Sequence, residues 1–306
     1  MKSTSDVVIA GAGIGGLTAA IALTARGHDV RVLERAPSMS GIGAGIALAP
    51  NAMFLLDRLG VADQVTALGE RVDRMDLLTD KGALLGGASS RELGERIGAP
   101  TVAIHRAALQ SALLEALGSD RVQTGARVVG FEQDEHQVTV SIADGARETA
   151  RVLIGADGIH SQIRAQLHGD RAPRYSGYTC WRGVTEPLLG PPSTMSESWG
   201  SGRRFGIVPI GGRCVYWFAT LNAPSGGRDN LATLHADLQR IFEAFHKPVA
   251  ELIESTPSHQ ILRNDIIDRE PLRTWGQGRV TLLGDAAHAM TPNLVQGACQ
   301  AIEDAA

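Results

Sequence analysis

The chain has 306 residues, of which 43% are hydrophobic and 20% charged, so it is long enough for about two domains with a sizeable core. Its net charge of −4 gives no reason to expect nucleic acid or an anionic membrane surface as a partner. The three cysteines are odd in number and far apart, and the histidines show no metal-ligand spacing, so neither a disulfide framework nor a metal site is predicted.

The first forty residues have the order of elements that holds a dinucleotide. A short apolar run at 6–10 predicts a buried strand, 17–26 predicts a helix, and 29–33 predicts a second strand that ends at Glu34. Between the first strand and the helix the sequence reads GAGIGG, which matches G-x-G-x-x-G. No signal-peptide layout precedes the first strand and no apolar run is long enough to span a membrane, so we expect a cytoplasmic enzyme.

Each glycine of this pattern has a physical reason. Gly11 allows the tight turn, Gly13 lets the backbone approach a pyrophosphate, and Gly16 lets the helix and the strand pack closely. The helix N-terminus offers free N–H groups and a positive dipole end to the phosphates. Glu34 is placed to accept hydrogen bonds from a ribose. The ordered context favours a dinucleotide site over a glycine-rich structural turn.

The residues up to 174 predict further elements of the same domain. The glycine-rich stretch 40–50 is typical of a backbone that passes close to a ligand, and Asn51 is predicted to cap a helix over 52–59. A long helix is predicted over 101–117, with Arg106 near its beginning. Strands are predicted at 72–78, 84–87, 122–123, 126–131, 138–142 and 152–154. The first two indicate a small β insertion near 72–100.

From about Tyr175 the sequence changes to strand-like pieces rich in aromatic residues. Strands are predicted at 175–184, 197–199, 204–209, 214–221, 260–267 and 280–283, and helices at 231–245 and 249–254. We therefore predict an antiparallel sheet domain over 175–267, inserted into a nucleotide domain made of 1–174 and 268–306. Residues 296–306 predict the opening turns of a helix that nothing stops, so we expect that a C-terminal portion is missing.

Two more carboxylates follow predicted strands. Asp157 lies in GADGIHSQIR after the strand at 152–154, and Asp285 lies in GDAAH after the strand at 280–283. A carboxylate at the end of a buried strand is well placed to bind sugar-like hydroxyls. Taken singly, either aspartate is equally compatible with a turn or a helix N-cap.

Together these motifs resemble those of the class A flavoprotein monooxygenases, the single-component aromatic hydroxylases. The match covers essentially the whole chain, and it rests on the ordered motifs GAGIGG, GADGIHSQIR and GDAAHAMTPNLVQGACQAIEDA. The run YSGYTCWRG at 175–183 is similar to the branch of salicylate and 3-hydroxybenzoate hydroxylases, urate hydroxylases and zeaxanthin epoxidases. The resemblance implies an α/β fold, with a Rossmann-type, glutathione-reductase-like FAD-binding domain and an inserted, mostly antiparallel β-sheet domain for substrate.

The resemblance also implies which residues hold tightly but non-covalently bound FAD. From the adenosine to the flavin ring they are Val128, Glu34, Arg35, Gly11, Gly13, Ile14, Gly15, Gly16, Asp157, Gly158, Arg106, Gly284, Asp285, Ala44, Gly45, Ile46, Pro292, Val295, Gln296, Gly297 and Ala298. Asp157 is implied to serve both FAD and NAD(P)H, and Asp285 to bind the ribityl chain. Residues 44–46 would form a mobile loop beside the ring, and Pro292 would shape the face where oxygen reacts. N–H groups at the last helix start would hold the pyrimidine edge.

One position departs from the family pattern. Relatives usually have Gly-Gln-Gly where this chain has Val295, Gln296 and Gly297. A β-branched residue at positive φ would be strained, so either this backbone is ordinary here or the flavin packs differently. His288, three residues after Asp285, is interpreted as orienting a helix start rather than as a catalytic base.

The substrate pocket is implied to lie between the inserted sheet and the flavin. Its candidates are Cys180, Arg182, Arg204, Tyr216 and Trp217. Urate hydroxylases have an Arg and a Tyr facing substrate at the places of Arg204 and Tyr216, so these two, with Pro292, are the predicted catalytic residues. Cys180 and Arg182 replace polar amides of that branch, which argues against urate itself.

Chemistry and strand geometry narrow the roles of these candidates. Arg204 would pair with a carboxylate or a urate-like anion, or acidify a phenol, and the structural alternative is an edge-strand arginine that reaches water. Tyr216 and Trp217 are adjacent and point to opposite faces of a strand, so at most one of them lines the pocket.

The resemblance implies a monooxygenase. NAD(P)H would reduce FAD, and O2 captured as the flavin C4a-hydroperoxide would give one oxygen atom to an aromatic or other electron-rich small molecule. No second G-x-G-x-x-G is present, which agrees with a transient visit by NAD(P)H. The expected partners are the substrate, O2 and NAD(P)H, and the expected assembly is a monomer or homodimer.

Two other classes stay open. One is a flavoenzyme of the same fold without oxygen insertion, such as an isoprenoid-chain reductase or a halogenase; the halogenase Trp-x-Trp-x-Ile motif is absent. The other is a flavin-free binding protein on this fold. Asp157 and Asp285, together with all three glycines of the first motif, argue against it.

Overall fold

The computed structural model describes residues 5–39, 44–186 and 192–306. In chain order the strands are β1 Ser5–Ala10, β2 Val30–Leu33, β3 Gly45–Leu48, β4 Glu70–Val72, β5 Arg74–Thr79, β6 Leu84–Ser89, β7 Thr101–His105, β8 Val122–Gln123, β9 Val128–Gln133, β10 Val138–Ile142, β11 Arg147–Gly155, β12 Arg174–Thr185, β13 Thr194–Gly200, β14 Arg203–Ile210, β15 Cys214–Asn222, β16 Leu262–Asp268, β17 Gly276–Gln277 and β18 Val280–Leu282. The α-helices are α1 Ile14–Ala25, α2 Pro50–Arg58, α3 Ala62–Leu68, α4 Ser90–Ile97, α5 Arg106–Leu117, α6 Gln162–His168, α7 Leu234–Ile241, α8 Val249–Ser255, α9 Asp285–His288 and α10 Gly297–Ala305. Short 3₁₀ turns lie at Ser119–Arg121, Ser258–Gln260 and Pro292–Leu294.

The first sheet has a parallel centre, which is the fold class predicted from the sequence. Its strand order is β17-β18-β11-β1-β2-β8, and β1 pairs in parallel with both β2 and β11. Because β1 is an apolar run buried on both faces, it takes the middle of the sheet. The strands β1, β11 and β18 run in the same direction, so their carboxyl ends meet at one edge. That edge carries all three sequence motifs.

The second sheet has the order β16-β12-β15-β14-β13-β5-β6. Its neighbours are antiparallel except for the parallel pair β13 and β5. One face is covered by α7 and α8 through a core that contains Trp217, Phe205 and Phe242. Because helices cover that face, the opposite face is the one that can meet the first sheet's domain.

A small sheet of order β3-β7-β4 connects the two parts. Ala47 of β3 and Ala103 of β7 pack in one apolar cluster with Val208 and Ile210 of β14. The same cluster includes the partly buried Tyr216 and Val295. The two larger sheets are therefore joined through packed side chains beside the predicted site.

Three predictions about elements were wrong in detail. The predicted helix over 101–117 is a strand, β7, followed by α5, because the β-branched Val102 and Ile104 are buried in the small sheet. The strands β5 and β6 extend the second sheet and do not form a separate insertion of the first domain. Helix α2 begins at Pro50, and the side chain of Asn51 donates to Gln296 and does not cap the helix.

In the ranges 5–39, 44–186 and 192–306, no helix is both long enough and apolar enough to cross a membrane.

Candidate active site

The glycine loop after β1 leaves no room for side chains at two of its glycines. Gly11 has φ +109°, and a Cβ there would overlap the carbonyl of Ala156 at the end of β11. A Cβ on Gly16 would overlap the carbonyl oxygen of Gly11. Only glycine allows the loop to pass this close to the neighbouring strand and to fold back on its own helix.

Gly13 differs, because the space beside it is open. No atom lies within 4 Å of a Cβ built on Gly13, and its backbone is extended with φ −71°. Gly13 caps α1 without a side-chain hydrogen bond, and the first turn of α1 contains no acidic residue. The N–H groups of Ile14, Gly15 and Gly16 at this uncapped helix start therefore suit an anion such as a pyrophosphate.

Glu34 supports this loop directly. Its Oε2 accepts a hydrogen bond from the Ala12 N–H at 2.8 Å, and its Oε1 accepts one from Ala36 at 2.8 Å. Both carboxylate oxygens keep lone pairs for a ribose diol. Gln110 of α5, which sequence reasoning missed, donates to the Ala12 carbonyl at 2.8 Å. The sequence gives little sign of this role, because Gln110 is one polar residue next to Leu109 in a predicted helix. The role becomes visible only when α5 packs against α1.

Arg35 and Val128, both predicted to lie near the adenosine, differ in their exposure to solvent. Arg35 is exposed, next to Glu34 at the end of β2. The side chain of Val128 is buried in the core below the first sheet, so only its backbone can face a ligand. The Ala126 N–H donates to the Glu34 carbonyl, which brings the segment that leads into β9 beside the acid.

Asp157 has one occupied oxygen and one unoccupied oxygen. Its Oδ2 accepts from the N–H of Gln162 at 2.8 Å and so supports the start of α6. Its Oδ1 is buried and has no hydrogen-bond partner among the described residues. Gly158 follows with φ +80° and open space around it. A buried carboxylate oxygen without a partner is costly, so a ligand hydroxyl beside Asp157 fits the site.

Asp285 lines the open cleft at the end of β18. Its side chain is accessible to solvent, but the surrounding walls of the cleft raise its pKa by desolvation. The positive charges of Arg106 and of a protonated His288 oppose that shift. Arg106 begins α5, and its backbone N–H donates to the carbonyl of Ala44 at 2.9 Å. The structure thus brings Asp285, Arg106 and Ala44 to one place.

His288 has a partner that fixes its role. Its Nε2 lies 2.6 Å from Oδ2 of Asp304, and the same oxygen accepts the N–H of Gly284 at 2.9 Å. Gly284 has φ +60° and positions Asp285. The hydrogen bond to Asp304 raises the pKa of His288, while desolvation opposes the rise. His288 thus ties α9 to α10, in line with the interpretation that it orients a helix start.

Val295 adopts the left-handed backbone, with φ +56° and ψ +24°. The alternative of an ordinary backbone at this position is therefore wrong. Pro292–Leu294 forms a 3₁₀ turn before it, and Gln296 caps α10 without a side-chain hydrogen bond. The first turn of α10 has no acidic residue, so the N–H groups of Gly297 and Ala298 are available as donors for an electron-rich ring edge.

Gly45 and Tyr216 bring the two parts of the site into contact. A Cβ on Gly45 would overlap Cβ and the ring of Tyr216, so the β3 backbone lies directly on that side chain. Ile46 follows in β3 and is partly buried. The predicted glycine-rich loop also includes 40–43, which lie outside the described residues.

The strand register gives the second sheet a polar face on this side. One face carries Cys180 and Arg182 of β12, Tyr216 of β15 and Arg204 of β14. Residues directly opposite each other on paired strands point to the same face, and Cys180, Thr220 and Arg204 form one such row across β12, β15 and β14. Val184, Tyr216 and Val208 form a second row on that face, because residues two or four apart in a strand point the same way. Trp217 points the other way. It is 0% exposed, stacks on Phe205 and donates to Oγ1 of Thr256 at 2.8 Å. The prediction that Trp217 contacts substrate was therefore wrong, and Trp217 belongs to the helix-covered core.

Arg204 already has a carboxylate partner and an amide partner. Its Nη1 lies 3.0 Å from Oε1 of Glu197, and its Nη2 donates to Oδ1 of Asn293 at 3.0 Å. The hydroxyl of Tyr178 donates to the same oxygen at 2.9 Å. Glu197 and Asn293 escaped sequence reasoning, since Glu197 meets Arg204 only through strand pairing. Asn293 stands next to the predicted Pro292 and carried no signal of its own.

Arg182 has neutral neighbours instead. Its Nη1 donates to Oδ1 of Asn264 at 3.1 Å, and among the described residues no carboxylate oxygen lies within 4.0 Å of its guanidinium. Burial raises the pKa of Tyr216, and the charge of Arg182 opposes that rise. Burial also raises the pKa of Cys180. Arg182 is therefore the cation on this face that can still meet an oxygen of a ligand.

Comparisons with known proteins agree with this geometry. A family model described as "FAD binding domain" matches residues 4–306. The aurachin C monooxygenase/isomerase of Stigmatella aurantiaca is 46% identical over 306 residues, which is 100% of this chain and 80% of that protein. The zeaxanthin epoxidase of Nicotiana plumbaginifolia is 38% identical, over 97% of this chain and 47% of that protein. The crystal structure of Klebsiella pneumoniae HpxO with FAD and uric acid is 36% identical and superposes with a TM-score of 0.93, covering 98% of this chain and 78% of that one.

Proposed function

Because the chain belongs to the FAD-binding domain family and its relatives are flavin-dependent monooxygenases, we propose that it uses FAD, NAD(P)H and O2 to insert one oxygen atom into an electron-rich small molecule. One observation carries the proposal. Gly45 of the small sheet contacts Tyr216 on the polar face of the second sheet, and the adjacent Ala44 is hydrogen-bonded to Arg106, whose charge acts on Asp285 at the edge with the nucleotide motifs. A dinucleotide at that edge would therefore end beside side chains able to hold a substrate.

The residues present fit FAD. The uncapped start of α1 beside Gly13 suits the pyrophosphate, and Glu34 suits the adenosine ribose. The free Oδ1 of Asp157 and the carboxylate of Asp285 suit hydroxyls of the nucleotide. Arg106, opposite Asp285, would meet a phosphate or ribityl oxygen. When bound, FAD supplies the electron transfer to O2 and the delivery of an oxygen atom.

The protein's own residues would bind and orient the substrate. Arg182 would hold an acidic oxygen of the substrate and favour its ionised form, with Tyr216 beside it as a hydrogen-bonding hydroxyl. N–H groups at the start of α10 would stabilise negative charge next to them. Pro292 and the apolar cluster around Val208 and Tyr216 would exclude water from the reacting atoms.

NAD(P)H is proposed to bind transiently in the same cleft. These 306 residues contain one G-x-G-x-x-G and no second one, which agrees with a nicotinamide coenzyme that shares the FAD site. Asp157, with its buried and unpartnered oxygen beside the proposed FAD site, is the candidate that both nucleotides would share.

Purified protein tests the proposal in two steps. We expect flavin absorbance in the purified or FAD-reconstituted protein, and NAD(P)H oxidation with O2 uptake that a hydroxylated aromatic stimulates. The product should be heavier than the substrate by one oxygen atom. Colourless protein that cannot be reconstituted would contradict FAD binding. Flavin reduction without oxygen in the product would instead indicate a flavin reductase.

A further inference from the structure

The polar face of the second sheet carries an uneven balance of charge. It presents Arg182 from β12, Arg204 from β14 and Glu197 from β13. The registers Glu197–Gly206 and Arg204–Thr220 put the acid and Arg204 on the same face as Tyr216. The face therefore has two guanidinium groups and one carboxylate, and the carboxylate is committed to one of them.

Glu197 and Arg204 form a partly buried ion pair. The distance between Arg204 Nη1 and Glu197 Oε1 is 3.0 Å, and the two side chains are only 26% and 20% exposed. The second amino group of Arg204 donates to Asn293, whose oxygen also accepts from Tyr178. An anion that approached Arg204 would compete with Glu197 and Asn293 for the guanidinium and would meet the negative charge of Glu197.

Arg182 is in the opposite situation. Its side chain donates to the neutral amide of Asn264, and the neutral side chains of Tyr216 and Cys180 lie beside it. A half-buried guanidinium whose partners are neutral attracts an anionic oxygen. The face as a whole therefore offers one positive charge to a ligand.

We propose that Glu197 is a specificity-determining residue: by neutralising Arg204 it leaves Arg182 as the single available cation, so that the site selects hydroxylated aromatics with one anionic group and rejects those that carry a second one. This inference rests on the proposed function, because it deepens the substrate class of that same site. It also changes the expectation from sequence that Arg204 itself receives an anionic group.

The test compares ligands of equal shape and different charge. The pairs are 5-hydroxyisophthalate with its monoamide and 4-hydroxyisophthalate with its monoamide, titrated into the FAD-loaded protein without NAD(P)H. Each dicarboxylate carries two negative charges and each monoamide carries one. The change in flavin absorbance on binding gives each dissociation constant without turnover. We expect the wild-type protein to bind the monoamides about tenfold more tightly than the dicarboxylates. Glu197→Gln keeps the shape and an acceptor oxygen but frees the charge of Arg204, so it should shift the ratio by about tenfold toward the dicarboxylates.

Two further variants separate charge from structural damage. In the double variant Glu197→Gln with Arg204→Met both charges are gone, so the wild-type preference for the monoamides should return. Glu132→Gln breaks a comparable but exposed pair with Arg147 on the first sheet and should leave every ratio unchanged. A structural role for Glu197 alone would weaken all ligands equally in both Glu197 variants.

The outcomes are decisive in each direction. A ratio that stays within about twofold of the wild-type value in Glu197→Gln, or a wild-type protein that already prefers the dicarboxylates, would overturn the inference. If the wild-type protein binds none of the four ligands, dicarboxylate binding gained by Glu197→Gln supports the inference and its absence overturns it. Protein that cannot be loaded with FAD at all would overturn the proposed function, and the specificity role would fall with it.

Discussion

At the scale of single residues, Val295 has a strained backbone conformation next to the proposed site. Non-glycine residues in the left-handed region cost on the order of 1 kcal/mol, and β-branched residues cost more. Val295 occupies that region immediately before the start of α10, and its side chain packs in the cluster with Tyr216. The packing of the side chain thus holds a backbone that glycine would adopt freely.

A matched pair of substitutions isolates the backbone contribution at this position. Val295→Gly and Val295→Ala both remove the isopropyl group, so their difference reports the left-handed conformation. We expect Val295→Gly to be more stable than Val295→Ala by about 1 kcal/mol in urea unfolding. At Gln300, inside α10, the order should reverse, because alanine favours a helix interior by about 1 kcal/mol over glycine. Alanine at 295 that equals glycine in stability would show that φ is not positive in solution.

The glycine loop makes a second prediction, which separates folding from cofactor binding. A Cβ at Gly13 meets open space and an ordinary backbone, so Gly13→Ala should leave the unfolding midpoint of the apoprotein unchanged. The added methyl group lies where the phosphates are proposed to approach, so FAD affinity should fall by about a hundredfold in a flavin titration.

Gly16→Ala is the contrasting variant. Its Cβ would overlap the Gly11 carbonyl, and we expect it to destabilise the apoprotein by about 3 kcal/mol. The interpretation of the loop would be wrong if Gly13→Ala bound FAD as tightly as the wild-type protein. It would also be wrong if Gly16→Ala folded normally.

Residues with a local signal could be predicted from the sequence, and residues that depend on a distant partner could not. Gly11 and Asp157 stand in short motifs whose spacing is set by a strand and a helix. Glu197 acquires its meaning only when β13 pairs with β14, and Gln110 only when α5 packs against the loop at Ala12. Neither register nor helix packing can be read from one strand or helix alone.

At the scale of elements, the segment 101–117 shows where strand pairing overrides a helical pattern in the sequence. The helical spacing of Leu109, Leu113 and Leu117 extended the predicted helix too far toward the N-terminus. Thr101 to His105 is instead the central strand of the small sheet, paired on both sides by β3 and β4. His105 then caps α5 by accepting the N–H of Ala107 at 3.2 Å. Short apolar runs next to a helix are ambiguous until their pairing partners are known.

The connection between α9 and α10 predicts a pH dependence of stability. The pKa of His288 is raised in the folded state, mainly by its hydrogen bond to Asp304, and the charge of Asp285 adds to the rise. The ring of Trp275 packs against His288, with the two ring centroids 5.1 Å apart. A raised pKa means that the contribution to stability is complete below the unfolded value of about 6.5 and is lost as pH rises through the folded value.

Urea unfolding of the wild-type protein and of His288→Gln, measured from about pH 6 to pH 9, checks this sign. The wild-type protein should lose stability relative to His288→Gln as the pH increases. His136→Gln, on an exposed turn, is the matched control and should follow the wild-type curve. Parallel curves for the wild-type protein and His288→Gln would contradict the proposed tie between the two helices.

At the scale of the whole molecule, the site exists because three sheets meet. The sequence predicted a nucleotide domain and an inserted sheet, and both are present. It did not predict that β5 and β6, from the first third of the chain, would complete the second sheet, because the parallel pairing of β5 with β13 joins segments about a hundred residues apart. This long-range pairing locks the second sheet to the chain segment that also forms β4 and β7.

The contact between Gly45 and Tyr216 makes the final prediction, because in the proposed site it would set the distance between a bound flavin and the substrate face. A methyl group at Gly45 would force β3 away from the ring of Tyr216. We expect Gly45→Ala to lose about 1–3 kcal/mol of stability, to keep its FAD, and to form less product per NAD(P)H consumed, since a displaced face no longer holds substrate at the reacting atoms. Gly86→Ala, on β6 with open space beside it, should change neither stability nor product yield. If Gly45→Ala loses stability but keeps the wild-type product yield, the contact serves folding alone, and the substrate must be positioned from another surface.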